Sequence, residues 1–346
     1  MNEKREEEII RPPNLDSYIG QNHNKKVIKV SLLSSLKRKT AFPHTLMYGP
    51  PGLGKTTLAQ IIANEMHVNY ISVMSTAISN IYQLENLLLK IPVDGYDNKG
   101  NVVNPDLICP SVIFIDEIHL LKKELRESLH SILEDFIFSI QRKDFNTGGY
   151  KTVKYRTPLF TLIGATNYLG NLPKPFIDRF KLLLQFEIYS DEEIAQILTF
   201  TAKQLNLTYE NDAIILLASK SRGIPRIANK FLFFARDVAC ALYDNQHISV
   251  ECVEEMFSIN NIDKYGLTRL DRKILSYLAE VKRPMGIAAI AQAVDEDKNT
   301  IENSVEPWLV RQRLIVRTPN GRQITEEGLK HVANDFSNRN ELFLIE

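Results

Sequence analysis

Residues 49–57 read Gly49-Pro50-Pro51-Gly52-Leu53-Gly54-Lys55-Thr56-Thr57, and they follow the apolar run Thr45-Leu46-Met47-Tyr48. A strand that enters a glycine-rich loop and then a helix is the sequence form of a phosphate-binding loop. Glycine lets the backbone wrap close to phosphate oxygens with its N–H groups turned inward. The helix expected from about Thr56 offers its positive N-terminal end to the same anion. Lys55 can reach the β- and γ-phosphates, and the Thr56 hydroxyl can hold Mg²⁺. A chance Gly/Pro turn would not also carry Gly49, Gly54, Lys55 and Thr56 at this spacing behind a strand. The stretch predicts an α/β fold with a parallel sheet and a bound nucleoside triphosphate.

Such a loop needs a metal and water ligand from a neighbouring strand. Val112-Ile113-Phe114-Ile115 is short, apolar and β-branched, as a buried parallel strand should be, and it ends in Asp116-Glu117. Asp116 would complete the Mg²⁺ shell, and Glu117 would orient or deprotonate the attacking water. His119 reads either as a catalytic base or as a satisfied polar residue at the head of the next helix. A third strand, Leu159 to Gly164, ends in Ala165-Thr166-Asn167. In parallel α/β sheets ligands sit at the carboxyl ends of strands, so Asn167 can touch the γ-phosphate or the water. Phosphoryl transfer also needs positive charge on the developing transition state. Arg179, in Asp178-Arg179-Phe180, could supply it across a subunit interface as an arginine finger; a surface pair with an acid is the plain alternative.

The bulk numbers restrict partners. At 346 residues the chain has room for about two or three domains. Its 42 Lys and Arg balance 42 Asp and Glu, so any nucleic-acid contact must come from a local patch. Cys109, Cys240 and Cys252 lack metal-ligand spacing and read as reduced, buried, small apolar residues in a cytosol. No apolar stretch approaches a membrane span, and the charged segment Met1 to Glu8 is no signal peptide. The expected location is the cytoplasm.

After Tyr189 the texture becomes helical. Ser190-Asp191-Glu192-Glu193 is a cap followed by early acids, a second helix begins near Asn211, and a third follows Ser221 to Arg226. Arg226 falls in a first helical turn, where the dipole disfavours a cation; that misfit hints at a site, and a lid arginine reaching the nucleotide would explain it. From Gly266 three helical segments (Leu267 to Val281, Ile287 to Val294, Asn299 to Gln312 with Pro307 at a restart) precede two short strands around Arg317-Thr318-Pro319-Asn320-Gly321-Arg322. Asn-Gly between short apolar runs predicts a hairpin. Three helices plus a hairpin make a winged helix. Arg311, Arg313, Arg317 and Arg322 cluster there with no acid between them, a patch suited to phosphate contacts.

Taken together, these residues resemble the bacterial RuvB family of Holliday-junction branch-migration motors, within the AAA+ ATPases. The resemblance runs from Ile10 to about Val332. It rests on Arg11-Pro12, Leu15 and Tyr18-Ile19-Gly20-Gln21, on Gly49 to Thr57, on Asp116 to His119, and on Glu134-Asp135-Phe136. It continues through Thr161 to Thr166, Asp178-Arg179-Phe180, Gly223 to Asn229 and Arg317 to Arg322. It implies a large AAA+ domain over 1–189, a helical lid over 190–264, a winged-helix DNA-binding domain over 265–335 and a tail over 336–346. Ile10, Arg11, Tyr18 and Ile19 would line the adenine side. Gly52, Gly54, Lys55, Thr56 and Thr57 would hold the phosphates of ATP and, with Asp116, Mg²⁺. Asp116 and Glu117 would be the Walker B acids, with Asn167 or Thr166 the first sensor. Glu134, Asp135 and Phe136 would approach from the neighbouring subunit, with Arg179 the finger in trans. Tyr189 and Arg226 would be lid contacts, Arg226 as the second sensor, and Arg317 and Arg322 would touch DNA phosphates.

The implied activity is ATP-driven branch migration by hexameric rings on the duplex arms of a four-way junction, with a RuvA-like protein at the crossover and a RuvC-like resolvase as a further partner. The chain departs from the family pattern at Ile177, at Asn167-Tyr168, in an insertion over Val93 to Pro110, and over Gln141 to Val153, the hairpin where the family docks RuvA. Two other readings compete: an initiator- or loader-like ATP switch that closes on DNA without translocating, and a protein-remodelling ATPase whose wing binds protein. The third winged-helix segment carries Glu302 and Glu306, which would repel phosphate in a major groove, so sequence reading is disfavoured.

Overall fold

The computed structural model describes residues 9–91, 111–143, 148–244 and 246–333. The insertion Val93–Pro110 with Cys109, part of the 141–153 hairpin and the 336–346 tail therefore lie outside the described residues. The chain divides into two compact units. The first runs to Asn206 and takes in Gly223–Asn229; the second holds Leu207–Arg222 and the residues from Lys230 onward.

The first unit is built on strands β1 (Thr45–Tyr48), β2 (Asn69–Met74), β3 (Ser111–Asp116), a hairpin of β4 (Ile137–Lys143) and β5 (Tyr150–Arg156), then β6 (Thr161–Thr166) and β7 (Leu182–Gln185). Five of them form one parallel sheet in the order β2-β3-β6-β1-β7. β3 and β6 are buried along nearly their whole length, which is why they read as largely apolar rather than alternating. The order matters for chemistry: β6 lies between β1 and β3, so the loop after β1, the acids at the end of β3 and the polar tip of β6 share one edge. β7 has no distinct signal in the sequence; it pairs with β1 in register, Thr45 opposite Leu182. At the opposite edge His44 closes the start of β1. Its Nδ1 accepts from the Leu162 N–H at 2.9 Å, and burial pushes the imidazole down to about 4, so it stays a neutral acceptor.

The helix Lys55–Glu65 follows the glycine loop directly, one residue earlier than expected, and buries Leu58, Ala59, Ile61 and Ile62. The segment from Ile10 to Gly20 is tied to it: Arg11 Nη1 donates to Gln60 Oε1 at 3.2 Å, and the Leu15 N–H donates to Glu65 Oε1 at 3.1 Å. The helix Asp191–Gln204 opens on a complete capping box of Ser190 and Glu193, as its sequence predicts.

In the second unit the helix Arg269–Val281 opens on a Thr268–Asp271 capping box. Ile287–Val294 follows, and then Lys298–Thr300, a π turn over Ile301–Val305 and Glu306–Arg311, with Pro307 in the first turn of that last piece. The short strands β8 (Thr208–Tyr209) and β9 (His247–Ile248) pair in parallel, and β10 (Ile315–Thr318) pairs antiparallel with β11 (Gly321–Ile324). Leu267, Ile274, Leu278, Ile290, Leu309 and Ile324 meet in one core beneath the hairpin. Pro319 and Asn320 are the central turn residues, not Asn-Gly, because Thr318 already pairs with Gly321. Gly321 sits at φ +130°, and a Cβ there would stand 2.3 Å from the Met285 carbonyl oxygen. Only glycine lets Met285 bridge to Arg322.

One cysteine departs from the buried position expected of it. Cys252 is buried, with its thiol against the Ala235 carbonyl, but Cys240 is exposed. It lies one position past buried Ala239 on the helix Pro225–Tyr243, which turns it to the solvent side.

Candidate nucleotide site and wing

The three strand ends meet through one line of side chains. Lys55 Nζ donates to Asn167 Oδ1 at 2.8 Å, and Asn167 Nδ2 donates to Glu117 Oε1 at 2.6 Å. Lys55 also donates to the Gly49 and Pro50 carbonyls at 2.7 and 2.9 Å. Burial pushes its ammonium down to about 8, while Glu117 and Asp116 pull the other way. The Asp116 carboxylate accepts from the Glu117 N–H at 2.9 Å. Glu117 takes a left-handed φ of 49° at the strand end, a conformation rare outside glycine and typical of sites that hold strain for function. Its carbonyl accepts from Ser75 Oγ at 2.8 Å.

His119 turns out to be part of this cluster. Its Nδ1 lies 2.9 Å from Thr166 Oγ1 and 3.2 Å from Glu117 Oε2. Glu117 Oε2 is nonetheless buried without a hydrogen bond, the state expected of a carboxylate oxygen aimed at a water or at a ligand's own shell. Gly52 and Gly54 adopt left-handed φ of 79° and 92°, so their N–H groups can form an anion cradle. The orphaned oxygen, the cradle and the lysine held on carbonyls fit a triphosphate. Among the described residues no three His, Cys, Asp or Glu side chains converge as a metal site. Mg²⁺ needs no such cage, since it is held by one or two protein oxygens plus phosphates and waters.

The other expected residues fall in three places. Tyr18 and Tyr189 both bond the Leu53 carbonyl, at 3.3 and 3.1 Å, and each other at 3.0 Å. They pin the loop backbone from two sides, and Lys25 bonds the Tyr18 carbonyl. Ile10 and Ile19 are half-buried. Arg226 packs on the loop: a Cβ at Gly52 would stand 3.0 Å from Arg226 Cβ, and the Arg226 N–H donates to the Gly52 carbonyl at 3.4 Å. Thr56 and Thr57 open the helix behind the cradle.

A second cluster forms away from these. Arg179 Nη1 lies 2.9 Å from Glu134 Oε1, and Arg179 Nε donates to His130 Nε2 at 2.7 Å. Glu134 and Asp135 are exposed. Phe136 instead packs into its own core, its ring centroid 5.8 Å from Phe160 and 5.9 Å from His44. Among the described residues no hydrogen bond or ion pair joins Arg179 to Lys55, Asp116 or Glu117, so Arg179 and Glu134 do not complete the site of their own chain. His130 escaped the sequence reading. Its one signal was the four-residue spacing from Glu134 on a helix, which puts both on one face.

The wing holds a charge pairing that the linear sequence hides. Glu306, 1% exposed, accepts from Arg317 Nε and, at 2.8 Å, from Arg322 Nη2. Glu302 stands 3.9 Å from Arg322. The four arginines are free of acids along the chain but not in space. Arg322 is 18% exposed and Arg317 60% exposed, so Arg317 is the better placed of the two to meet a phosphate. Arg311 is exposed and donates to the Arg222 carbonyl at 3.5 Å. The objection that Glu306 would repel phosphate from a groove-reading helix is also removed, because that carboxylate faces inward and is neutralised.

Three family models match the chain in series. The Holliday junction DNA helicase RuvB P-loop domain covers residues 10–186, the RuvB AAA lid domain 189–263 and the RuvB C-terminal winged helix domain 264–333. The chain is 38% identical over 330 residues to the Holliday junction branch migration complex subunit RuvB of Orientia tsutsugamushi (strain Ikeda), covering 94% of this chain and 95% of that one. It is 37% identical over 331 residues to the subunit of the same name from Prochlorococcus marinus (strain MIT 9515), covering 94% and 88%. Among solved structures, the Thermotoga maritima RuvB Holliday junction branch migration motor matches with a TM-score of 0.78 at 31% identity, over 94% of this chain and 98% of that one. With a phosphate loop, an acidic strand end and a polar-tipped strand brought to one sheet edge, and with these matches spanning nearly its whole length, the chain belongs to the RuvB family of AAA+ P-loop ATPases.

Proposed function

We propose that this chain is the ATP-driven motor subunit of Holliday-junction branch migration, working in the cytoplasm as a hexameric ring on duplex arms. The observation that carries the ATPase half is the Lys55–Asn167–Glu117 line, which couples the phosphate loop to the acid that handles the water. Lys55, Thr56 and the Gly52–Gly54 backbone would hold the phosphates; Thr56 and Asp116 would hold Mg²⁺, which would supply positive charge against the triphosphate. Glu117 orients the attacking water, and Asn167 reports the γ-phosphate to Glu117. Tyr18, Ile10, Ile19 and Arg11 border the adenine side, while Tyr189 and Arg226 tie the lid to nucleotide state.

The separate Arg179–Glu134 cluster supports sharing of the site between subunits. Arg179 would enter the neighbour's site as the finger, with Glu134 and Asp135 beside it. Arg317 would grip the DNA backbone, with Arg322 holding it in place through Glu306. A RuvA-like protein at the crossover and a RuvC-like resolvase are the expected partners.

The test is a synthetic four-way junction with labelled arms. The protein, ATP and the host's RuvA-like protein should together release the arms, and a non-hydrolysable analogue should block release. ATP-dependent junction binding without arm exchange would instead mark a switch that closes on DNA without translocating.

A further inference from the structure

The helix Lys123–Asp135 presents two side chains, one turn apart, to a single arginine. Arg179 Nε donates to His130 Nε2 at 2.7 Å, and Arg179 Nη1 lies 2.9 Å from Glu134 Oε1. His130 Nδ1 is 4.0 Å from Glu134 Oε2. Since arginine can only donate, His130 Nε2 must be the unprotonated ring nitrogen, which leaves its proton on Nδ1, toward the carboxylate. The backbone at this point is fixed too. Phe176 and Phe180 flank Arg179 in chain order, are both buried, and meet edge to face at 5.5 Å. The Arg179 N–H donates to the Phe176 carbonyl at 3.3 Å.

We propose that His130 is a positioning residue for Arg179. It holds one edge of the guanidinium in orientation before the neighbouring subunit's nucleotide arrives. The proposal rests on the reading of Arg179 as a finger in trans. Two anchors do different work here. A carboxylate holds an arginine by charge, and in doing so cancels part of the charge that makes a finger useful. A neutral imidazole holds the Nε–H without cancelling any. Fixing a long arginine side chain in advance also removes rotamer entropy that would otherwise be lost at the moment of reaction.

The test uses the full chain with junction DNA and three variants: His130→Phe, which keeps a ring but no acceptor; His130→Gln, which keeps an acceptor; and Arg179→Ala. His130→Phe should lower kcat about tenfold while leaving KM, the affinity for a fluorescent ATP analogue and the melting temperature near wild type. His130→Gln should recover most of that loss. If His130→Phe does not fold, His130→Ala serves the same comparison. Arg179→Ala slow with His130→Phe at full speed overturns this inference alone. Arg179→Ala at full speed removes the finger reading, and this inference with it. A loss of nucleotide affinity or melting temperature that parallels the loss of kcat, or failure of glutamine to rescue, would make His130 a structural residue and overturn the proposal.

Discussion

Nucleotide affinity should weaken as the pH is raised through about 8, and Lys55 sets the magnitude. Lys55 is 7% exposed, and its ammonium is held by two loop carbonyls and Asn167. Burial brings it down from the ordinary 10.5 to about 8. A polyanion beside it favours the charged form and lifts the value back. The sign follows. Below about pH 8 both the free and the bound site carry the proton, so affinity is flat; above it, up to the raised value of the bound site, only the bound site carries it, so binding takes up a proton and affinity falls by up to tenfold per pH unit. The charged fraction of the free site drops from about three-quarters at pH ~7.5 to about one-thirtieth at pH ~9.5, a loss of roughly 25-fold, or ~2 kcal/mol. Over that range the triphosphate itself stays ionised.

Titration calorimetry with a non-hydrolysable ATP analogue, in two buffers of different ionisation enthalpy, measures the uptake directly. About 0.9 proton per site is expected near pH ~9. Lys55→Arg keeps its charge throughout and should abolish the slope. Flat affinity in wild type, no proton uptake, or the same slope in Lys55→Arg would each refute the argument.

Glu306→Leu should lower the urea stability of the winged-helix unit by about 2–3 kcal/mol, nearly all of it from the poorly exposed Arg322, since an exposed arginine such as Arg317 finds water instead; an unchanged midpoint would remove Glu306 as the wing's anchor. Gly321→Ala should cost at least ~2 kcal/mol and loosen the hairpin, because the new methyl meets the Met285 carbonyl at a left-handed φ; thermal melting followed by circular dichroism would show it. Tyr18→Phe and Tyr189→Phe should each be mild, about 0.5 kcal/mol, because either hydroxyl alone can still satisfy the Leu53 carbonyl. The double variant should exceed their sum by ~1 kcal/mol and weaken nucleotide binding; strict additivity would mean that the two hydroxyls act independently.

The phosphate loop, the acids at the end of β3 and the tip of β6 were legible because each is a local pattern tied to a strand end. A loop that wraps phosphate must carry glycine at set positions, whatever surrounds it. The winged helix was legible for a similar reason: capping residues, helical stripes and a turn at set spacing. The hairpin was legible from Asn320-Gly321, but the role of that glycine was not, because Gly321 serves the approach of Met285, a contact distant in sequence. β7 was not seen at all, since four residues pairing beside β1 leave almost no periodic signal.

What the chain alone determined, then, was which chemical groups are present and on which strand ends they stand, because spacing along a strand or helix is a local property. What only the tertiary structure decided was which of those groups neutralise or hold one another. Strand order placed Asn167 between Lys55 and Glu117. Folding of the winged helix brought buried Glu306 under two arginines that no acid accompanies in sequence. A helix turn set His130 and Glu134 against Arg179, 49 residues from His130 along the chain. Charge acts through distance in space and through burial, and neither is written in the order of residues.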